Sequence, residues 1–205
     1  NGKSHSGSWG IGGCLSFYPA KVAGALGDGG AVITNDDGLA EFTKSVRDHG
    51  RGEGLEAINW GRNSRLDSIN ARVLIERLKN LEELISKRRK LAHIYNEELK
   101  ELEIKGKLKL PPKFSTNSSS LSTYQNYEIQ AKDKNELIYF LKKNNIGTIK
   151  QWGGFSIAHF SKLGFDINDY PRTQKLFNEL LLLPMNHLMQ EEEIKYICDK
   201  ISSFY

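Results

Sequence analysis

A lysine amine that gives up its proton is a nucleophile toward carbonyl carbon, and one lysine of this 205-residue chain stands in a context that sets it apart. Lys21 closes the string Ser16-Phe17-Tyr18-Pro19-Ala20-Lys21, and Gly27-Asp28-Gly29-Gly30 follows ahead of the apolar run Ala31-Val32-Ile33-Thr34. Ser16 offers a hydroxyl that can donate to a phosphate oxygen. Pro19 fixes φ and stops a strand, so that Lys21 leaves the sheet. The glycines allow a tight turn with no side chain obstructing a ligand, although Gly27 to Gly30 alone is an ordinary hairpin turn. Farther along, Asn63 and Arg65 fall in Gly61-Arg62-Asn63-Ser64-Arg65-Leu66-Asp67, Trp152 in Gln151-Trp152-Gly153-Gly154, and His159 just beyond. On the residues alone, Asn63 reads as a turn residue leading a helix and Arg65 as half of a surface ion pair. Trp152 divides between a stacking platform and a core residue, and His159 between a phosphate contact and a structural histidine.

The elements that must position these groups alternate. An apolar run Cys14 to Tyr18 and a second at Ala31 to Thr34 predict two strands joined by the Lys21 loop. Asp36 or Asp37 caps a helix carrying Leu39, Phe42 and Val46, which His49-Gly50 ends. From Leu66 to Leu102 apolar residues recur every three or four positions with no Pro or Gly, which predicts one long helix or two abutting ones. Its charged residues Glu82, Glu83, Lys87, Arg88, Arg89 and Lys90 read as a solvated face. After Gly106 the pattern predicts a strand before Pro111-Pro112, a Ser- and Asn-rich loop from Ser115 to Ser122, and a strand within Tyr124 to Ala131. A helix from Asp133, a strand from Gly147 to Trp152, and helices near Arg172 to Leu181 and Gln190 to Phe204 complete a small α+β unit.

Composition excludes several classes. A net charge of +4, with basic residues interleaved among acidic ones, argues against a nucleic-acid binder. The two cysteines, Cys14 and Cys198, have no metal-ligand spacing and form no disulfide framework, so no metal is expected and a reducing, cytoplasmic setting fits. The longest apolar run, Leu180 to Leu183, ends at Pro184, far short of a membrane span. The first residues, Asn1 to Ser8, carry neither Met nor a signal-like apolar core, and the chain reads as beginning in mid-protein.

The string from Ser16 to Lys21, with Ala31 to Asp36 after it, resembles the cofactor-lysine region of the DegT/StrS-type sugar aminotransferases, a branch of the fold-type I pyridoxal-phosphate enzymes. Gly61 to Asp67 is similar to the family's Gly-aromatic-Asn-any-Arg-Leu segment, with Arg62 in place of the aromatic. Gln151 to Gly154, His159-Phe160, Leu163-Gly164-Phe165 and Leu182 to Asn186 are similar to its C-terminal pattern. The resemblance implies an α/β fold: a truncated fold-type I large domain at 1–80 and a small α+β C-terminal domain at 81–205. It implies pyridoxal 5'-phosphate as cofactor, Lys21 as the catalytic residue bonded to it, and Ser16 on its phosphate. It also implies that Asn63 reaches the cofactor phosphate of the neighbouring subunit in a homodimer.

Arg65, Trp152 and His159 then become candidate substrate contacts. The implied reaction moves an amino group from an amino acid, glutamate above all, to a nucleotide-linked keto sugar, for amino sugars of surface polysaccharides or glycosylated metabolites. The family's carboxylate for the pyridine nitrogen falls upstream of Asn1. The chain is therefore expected to lack a complete site and, with half a sheet absent, to self-associate. Three other readings stay open: a non-catalytic regulator that keeps the cofactor pocket, a helical interaction module built on Leu66 to Leu102, and a sugar dehydratase, in which His replaces the lysine.

Overall fold

The computed structural model describes residues 6–113 and 122–205. Asn1 to His5 and, but for Ser122, the Ser- and Asn-rich loop lie outside the described residues. The chain divides into two compact units, Asn1–Glu83 and Leu84–Tyr205. No helix among the described residues is long and apolar enough to cross a membrane.

In the first unit, strands β1 (Gly12–Ser16) and β2 (Gly30–Thr34) pair antiparallel, Cys14 opposite Val32. Helix α1 (Asp37–Arg47) starts where the Asp36 carboxylate accepts the Leu39 N–H at 2.6 Å, satisfying an N–H with no helical partner. His49 and Gly50 stop it with φ of 64° and 77°. A Cβ on Gly50 would come within 1.8 Å of the Asn59 carbonyl, so this stop requires glycine. Helix α2 (Ser68–Lys79) is capped by Asp67, which accepts from the Ile69 and Asn70 N–H groups. Ala25 and Leu74 are the only buried apolar side chains among the described residues of this unit, whereas Trp9, Ile11, Leu55, Ile58 and Trp60 are exposed. A two-stranded sheet with so little core is marginal in water.

Helix α3 (Leu81–Glu98) follows α2 after a break at Asn80, and the short α4 (Lys100–Ile104) continues it, so the apolar periodicity spans abutting helices. In the second unit, β3 (Leu108–Lys109), β4 (Tyr127–Ala131) and β5 (Leu180–Leu183) form an antiparallel sheet in the order β3-β4-β5. Tyr127, Ile129 and Ala131 alternate into a core shared with Leu91, Tyr95 and Leu99 of α3. Leu137 and Leu141 of α5 (Lys134–Lys143) and Ile194, Ile197 and Ile201 of α7 (Glu191–Phe204) complete it. Helix α6 (Pro171–Glu179) leads into β5 and packs against β4.

Three expectations are corrected. Arg88 belongs to no solvated face: it is 6 % exposed, and its guanidinium donates to the carbonyls of Tyr124, Gln125 and Met185. Gly147 to Trp152 forms no strand. Ile149 alone bridges to Leu182, through bonds of 3.1 and 3.0 Å, before a left-handed turn at Trp152 curls the chain away. The helix expected as far as Leu181 ends at Glu179, because pairing with β4 overrides the helical preference of the leucines from Leu180 onward.

Candidate functional site

The backbone around Lys21 folds into a closed turn. Phe17 N–H reaches the Gly29 carbonyl at 2.8 Å and Ala25 N–H reaches the Phe17 carbonyl at 2.8 Å, which fixes both ends of the loop that Pro19 starts. Within it, Lys21 N–H donates to Tyr18 O at 2.8 Å and Gly24 N–H to Lys21 O at 2.9 Å. The turn is so tight at Gly24 that a Cβ there would lie 2.4 Å from the Pro19 carbonyl oxygen. Lys21 is half-buried. Its amine makes no ion pair or hydrogen bond to a side chain among the described residues, an unusual condition for a held lysine and a suitable one for a nucleophile. Ser16 ends β1, exposed, and its Oγ accepts weakly from Tyr18 N–H at 3.4 Å; the hydroxyl proton has no acceptor among the described residues. One turn therefore carries, five residues apart, an amine and a hydroxyl that make no hydrogen bond through their own hydrogens among the described residues.

The second motif meets the first through its flanks. Leu26 N–H donates to Asn70 Oδ1 at 3.2 Å, and a Cβ on Gly29 would lie 2.9 Å from Leu66 Cδ. Arg62 to Ser64 run along the end of α1: Arg62 N–H to Val46 O at 2.9 Å, His49 N–H to Arg62 O at 3.0 Å and Ser64 N–H to Arg47 O at 2.8 Å, with Asn63 bridged to Asp48. Asn63 is held by its backbone and leaves its side chain exposed. No hydrogen bond joins it to Lys21 or Ser16 among the described residues. Arg65 lies 3.2 Å from the Asp48 carboxylate, the ion pair that its residue type alone suggested. Asp48 also faces Arg51 and His49 at 3.9 Å each, and its Oδ1 is buried without a hydrogen bond. Sequence reasoning missed this hub; the juxtaposition Arg47-Asp48-His49-Gly50 at a helix end was the available signal. Two cavities of this unit, one lined by Phe42, Asp48 and Leu55 and the other by Ile11, Ile33 and Asp36, are lined by neither Lys21 nor Ser16.

The second unit holds Trp152 and His159. Trp152 is 78 % exposed, which removes the core alternative, and its φ of 51° places a bulky residue in the left-handed region, continued by Gly153 and Gly154. Such a residue costs about 1–3 kcal/mol and persists only where its surroundings enforce it, and strain of this kind clusters at binding sites. His159 is partly buried between Phe155 and Phe177, with ring centroids at 5.7 and 6.0 Å. Its Nδ1 accepts the Ser156 N–H at 3.0 Å, so the ring proton belongs on Nε2 and that nitrogen is the donor. The histidine thus serves structure through one nitrogen and keeps a donor on the other.

Comparison with known proteins identifies the family. A sequence profile of the DegT/DnrJ/EryC1/StrS aminotransferase family matches residues 1–202. A pleiotropic regulatory protein of Geobacillus stearothermophilus is 35 % identical, over 100 % of this chain and 54 % of its own length. A UDP-2-acetamido-2-deoxy-3-oxo-D-glucuronate aminotransferase of Pseudomonas aeruginosa is 30 % identical, over 93 % of this chain and 51 % of its own. The crystal structure of a DegT DnrJ EryC1 StrS aminotransferase from Brucella abortus superposes with a TM-score of 0.83 at 33 % identity, covering 99 % of this chain and 53 % of that one. The chain spans about half the length of the curated relatives it matches.

Proposed function

Because this chain belongs to the DegT/DnrJ/EryC1/StrS aminotransferase family, we propose that it serves the transfer of an amino group from an amino acid, glutamate in the first place, to the keto group of a nucleotide-linked sugar. The fold is that of fold-type I pyridoxal-phosphate enzymes, and the family depends on pyridoxal or pyridoxamine phosphate. We read the chain as the C-terminal part of a longer polypeptide, with the large domain's end at 1–80 and the small domain at 81–205. The uncovered apolar side chains of the first unit support that reading.

The observation that carries the proposal is the Lys21 turn: a half-buried lysine with no carboxylate partner among the described residues, in a closed loop that leaves the strand end at Ser16, whose hydroxyl proton is unused. These groups fit pyridoxal phosphate, Lys21 as the covalent anchor and Ser16 as a phosphate donor. When bound, the cofactor supplies an aldehyde that captures amines and a ring that withdraws electrons from the carbon beside it. With the cofactor in place, Lys21 Nζ would be the base that accepts the proton from the donor's α carbon and the acid that delivers one to the sugar carbon to be aminated. Asn63, exposed at the end of its bridge, is assigned to the cofactor phosphate of a second copy in a homodimer. Arg65, Trp152 and His159 are assigned to substrate, with His159 Nε2–H donating. Arg65 would then exchange its Asp48 partner for a substrate anion.

The test is covalent capture. Borohydride reduction of the full-length enzyme with pyridoxal phosphate, followed by peptide mapping, should place the cofactor on the Lys21 peptide. Lys21→Ala should abolish label and turnover together, and turnover that survives the substitution refutes the assignment. A second reading has one observation in its favour, the regulatory name of the Geobacillus relative: a protein that holds the cofactor and does not turn over. Conversion of the bound cofactor's absorbance on addition of glutamate separates the two.

A further inference from the structure

The start of α2 has a side chain that the helix itself does not require. Its cap is already supplied by Asp67, and asparagine ranks below leucine as a helix former, yet Asn70 occupies the first turn. From Gly61 to Asn70 every residue is exposed except Leu66 and Asn70, which are partly buried. Both face the limb of the Lys21 loop that returns to β2. Asn70 Oδ1 accepts the Leu26 N–H at 3.2 Å, a bond across 44 positions of sequence, and Asn70 Nδ2 stands 3.6 Å from where a Cβ on Gly27 would be. Leu66 supplies an apolar contact to the same limb, its Cδ1 2.9 Å from where a Cβ on Gly29 would be. The limb from Leu26 to Gly29 is therefore gripped at one polar and one apolar point.

Leu26 is joined to Lys21 by backbone that has little freedom. Ala25, 2 % exposed, is tied by its N–H to the Phe17 carbonyl at 2.8 Å. Gly24 donates to Lys21 O at 2.9 Å and has the Pro19 carbonyl packed against it. A displacement of Leu26 is thus passed along to Lys21 instead of being absorbed on the way. We propose that Asn70 is a positioning residue for Lys21: its side-chain carbonyl fixes Leu26 and so holds the loop in the conformation from which the amine meets an aldehyde. Because α2 begins three residues after Arg65, the same bond ties the Lys21 turn to the segment that carries Asn63 and Arg65. The proposal rests on the reading of Lys21 as the covalent anchor, and it names the side chain that holds that anchor's loop.

Three readouts in the full-length enzyme test it. Hydrogen–deuterium exchange at the Leu26 amide should quicken about two- to tenfold in Asn70→Leu, the range expected for loss of one hydrogen bond. In the cofactor-free enzyme, competitive acetylation mapped by mass spectrometry should modify Lys21 faster by about the same factor, because a loosened loop uncovers a half-buried amine. Borohydride capture of pyridoxal phosphate on Lys21 should move the other way, about two- to tenfold slower at limiting cofactor. Asn70→Asp keeps an acceptor for the Leu26 N–H and should restore all three. Water replaces the lost acceptor at the exposed Leu26, and leucine is the better helix former, so Asn70→Leu should unfold at the parental temperature or above it. A lower unfolding temperature in Asn70→Leu would mark a merely structural role and overturn the proposal. Parental acetylation and capture in Asn70→Leu, or an Asn70→Asp variant as impaired as Asn70→Leu, overturns it equally. The reading beneath it fails separately: exchange and acetylation that respond to Asn70, with no borohydride label on parental Lys21, remove the cofactor chemistry and leave the positioning. Label on parental Lys21 that Asn70→Leu does not alter removes the role of Asn70 alone.

Discussion

Replacing Arg88 by leucine takes away three donors at once. Nε donates to Tyr124 O at 2.8 Å, and one terminal nitrogen donates to Gln125 O at 2.5 Å and Met185 O at 3.2 Å. The first two hold a segment in which Tyr124 takes a φ of 46°, so the guanidinium also maintains a left-handed residue. Hydrogen bonds to a charged donor contribute about 1.5–3 kcal/mol each, and the orphaned carbonyls lose their partners in a buried setting. Burial also lowers the pKa of Arg88, the mark of a charge that folding has partly desolvated, and removing the charge returns some of that cost. Counting the two short bonds and discounting for desolvation, Arg88→Leu should cost on the order of 3–4 kcal/mol. Arg88→Lys should recover little of it, since an ammonium cannot span the same fork. Urea unfolding of the 205-residue chain, followed by circular dichroism, measures the loss. Lys90→Ala, which removes an exposed ion pair to Glu191 two positions along the same helix, is the control and should move the midpoint hardly at all. Equal shifts for the two substitutions would refute the claim that Arg88 organises the chain at Tyr124 and Gln125.

The remaining expectations concern other parts of the chain. Gly24→Ala forces a Cβ against the Pro19 carbonyl, an overpacking of about 1–3 kcal/mol; borohydride labelling at Lys21 should drop while the circular dichroism spectrum stays parental, and full labelling would contradict it. Tyr127→Phe removes the 2.9 Å bond to Asn96 Oδ1 between two buried groups and should cost about 1–2 kcal/mol in urea unfolding. Burial, helped by Glu98 and Asp199, pushes the Cys198 thiol up from 9.0 to about 12. The folded state therefore keeps a proton that the unfolded chain releases above pH 9.0. This contribution to stability is complete below that pH and is lost as pH rises toward about 12. Burial of Tyr95 and Tyr127 raises their pKa values too and steepens the same alkaline limb, so urea midpoints that stay level across pH 9.0 would contradict the burial of these groups.

What the sequence exposed and what it hid divide along the range of the interactions. The Lys21 turn was legible because its constraints are local: Pro19 sets its start and Gly24 its tightest point, while the bonds that close it join residues no more than a dozen positions apart. The cap at Asp36 and the stop at His49-Gly50 are local in the same sense. Arg88 was misread because its partners lie 36, 37 and 97 residues away, and helical periodicity reports only that a face is charged. Leu180 and Leu181 were misread for a related reason: leucines favour a helix in isolation, and the strand Leu180–Leu183 exists because β4 is there to pair with it.

The same division explains why the residues around Lys21 could be named while the surface that encloses them could not. A nucleophile needs a backbone that presents it, and that backbone is written in a few neighbouring residues; a binding cavity needs walls, and walls come from distant segments. In the first unit the hairpin β1–β2 and the loop carrying Leu55, Ile58 and the fully exposed Trp60 have the apolar composition of such walls. A soluble surface seldom carries so many large apolar groups on so few residues. An amine becomes a useful nucleophile at neutral pH where it is desolvated or stands beside another cation, and the uncovered apolar groups of this unit are the residue types that supply the first of these.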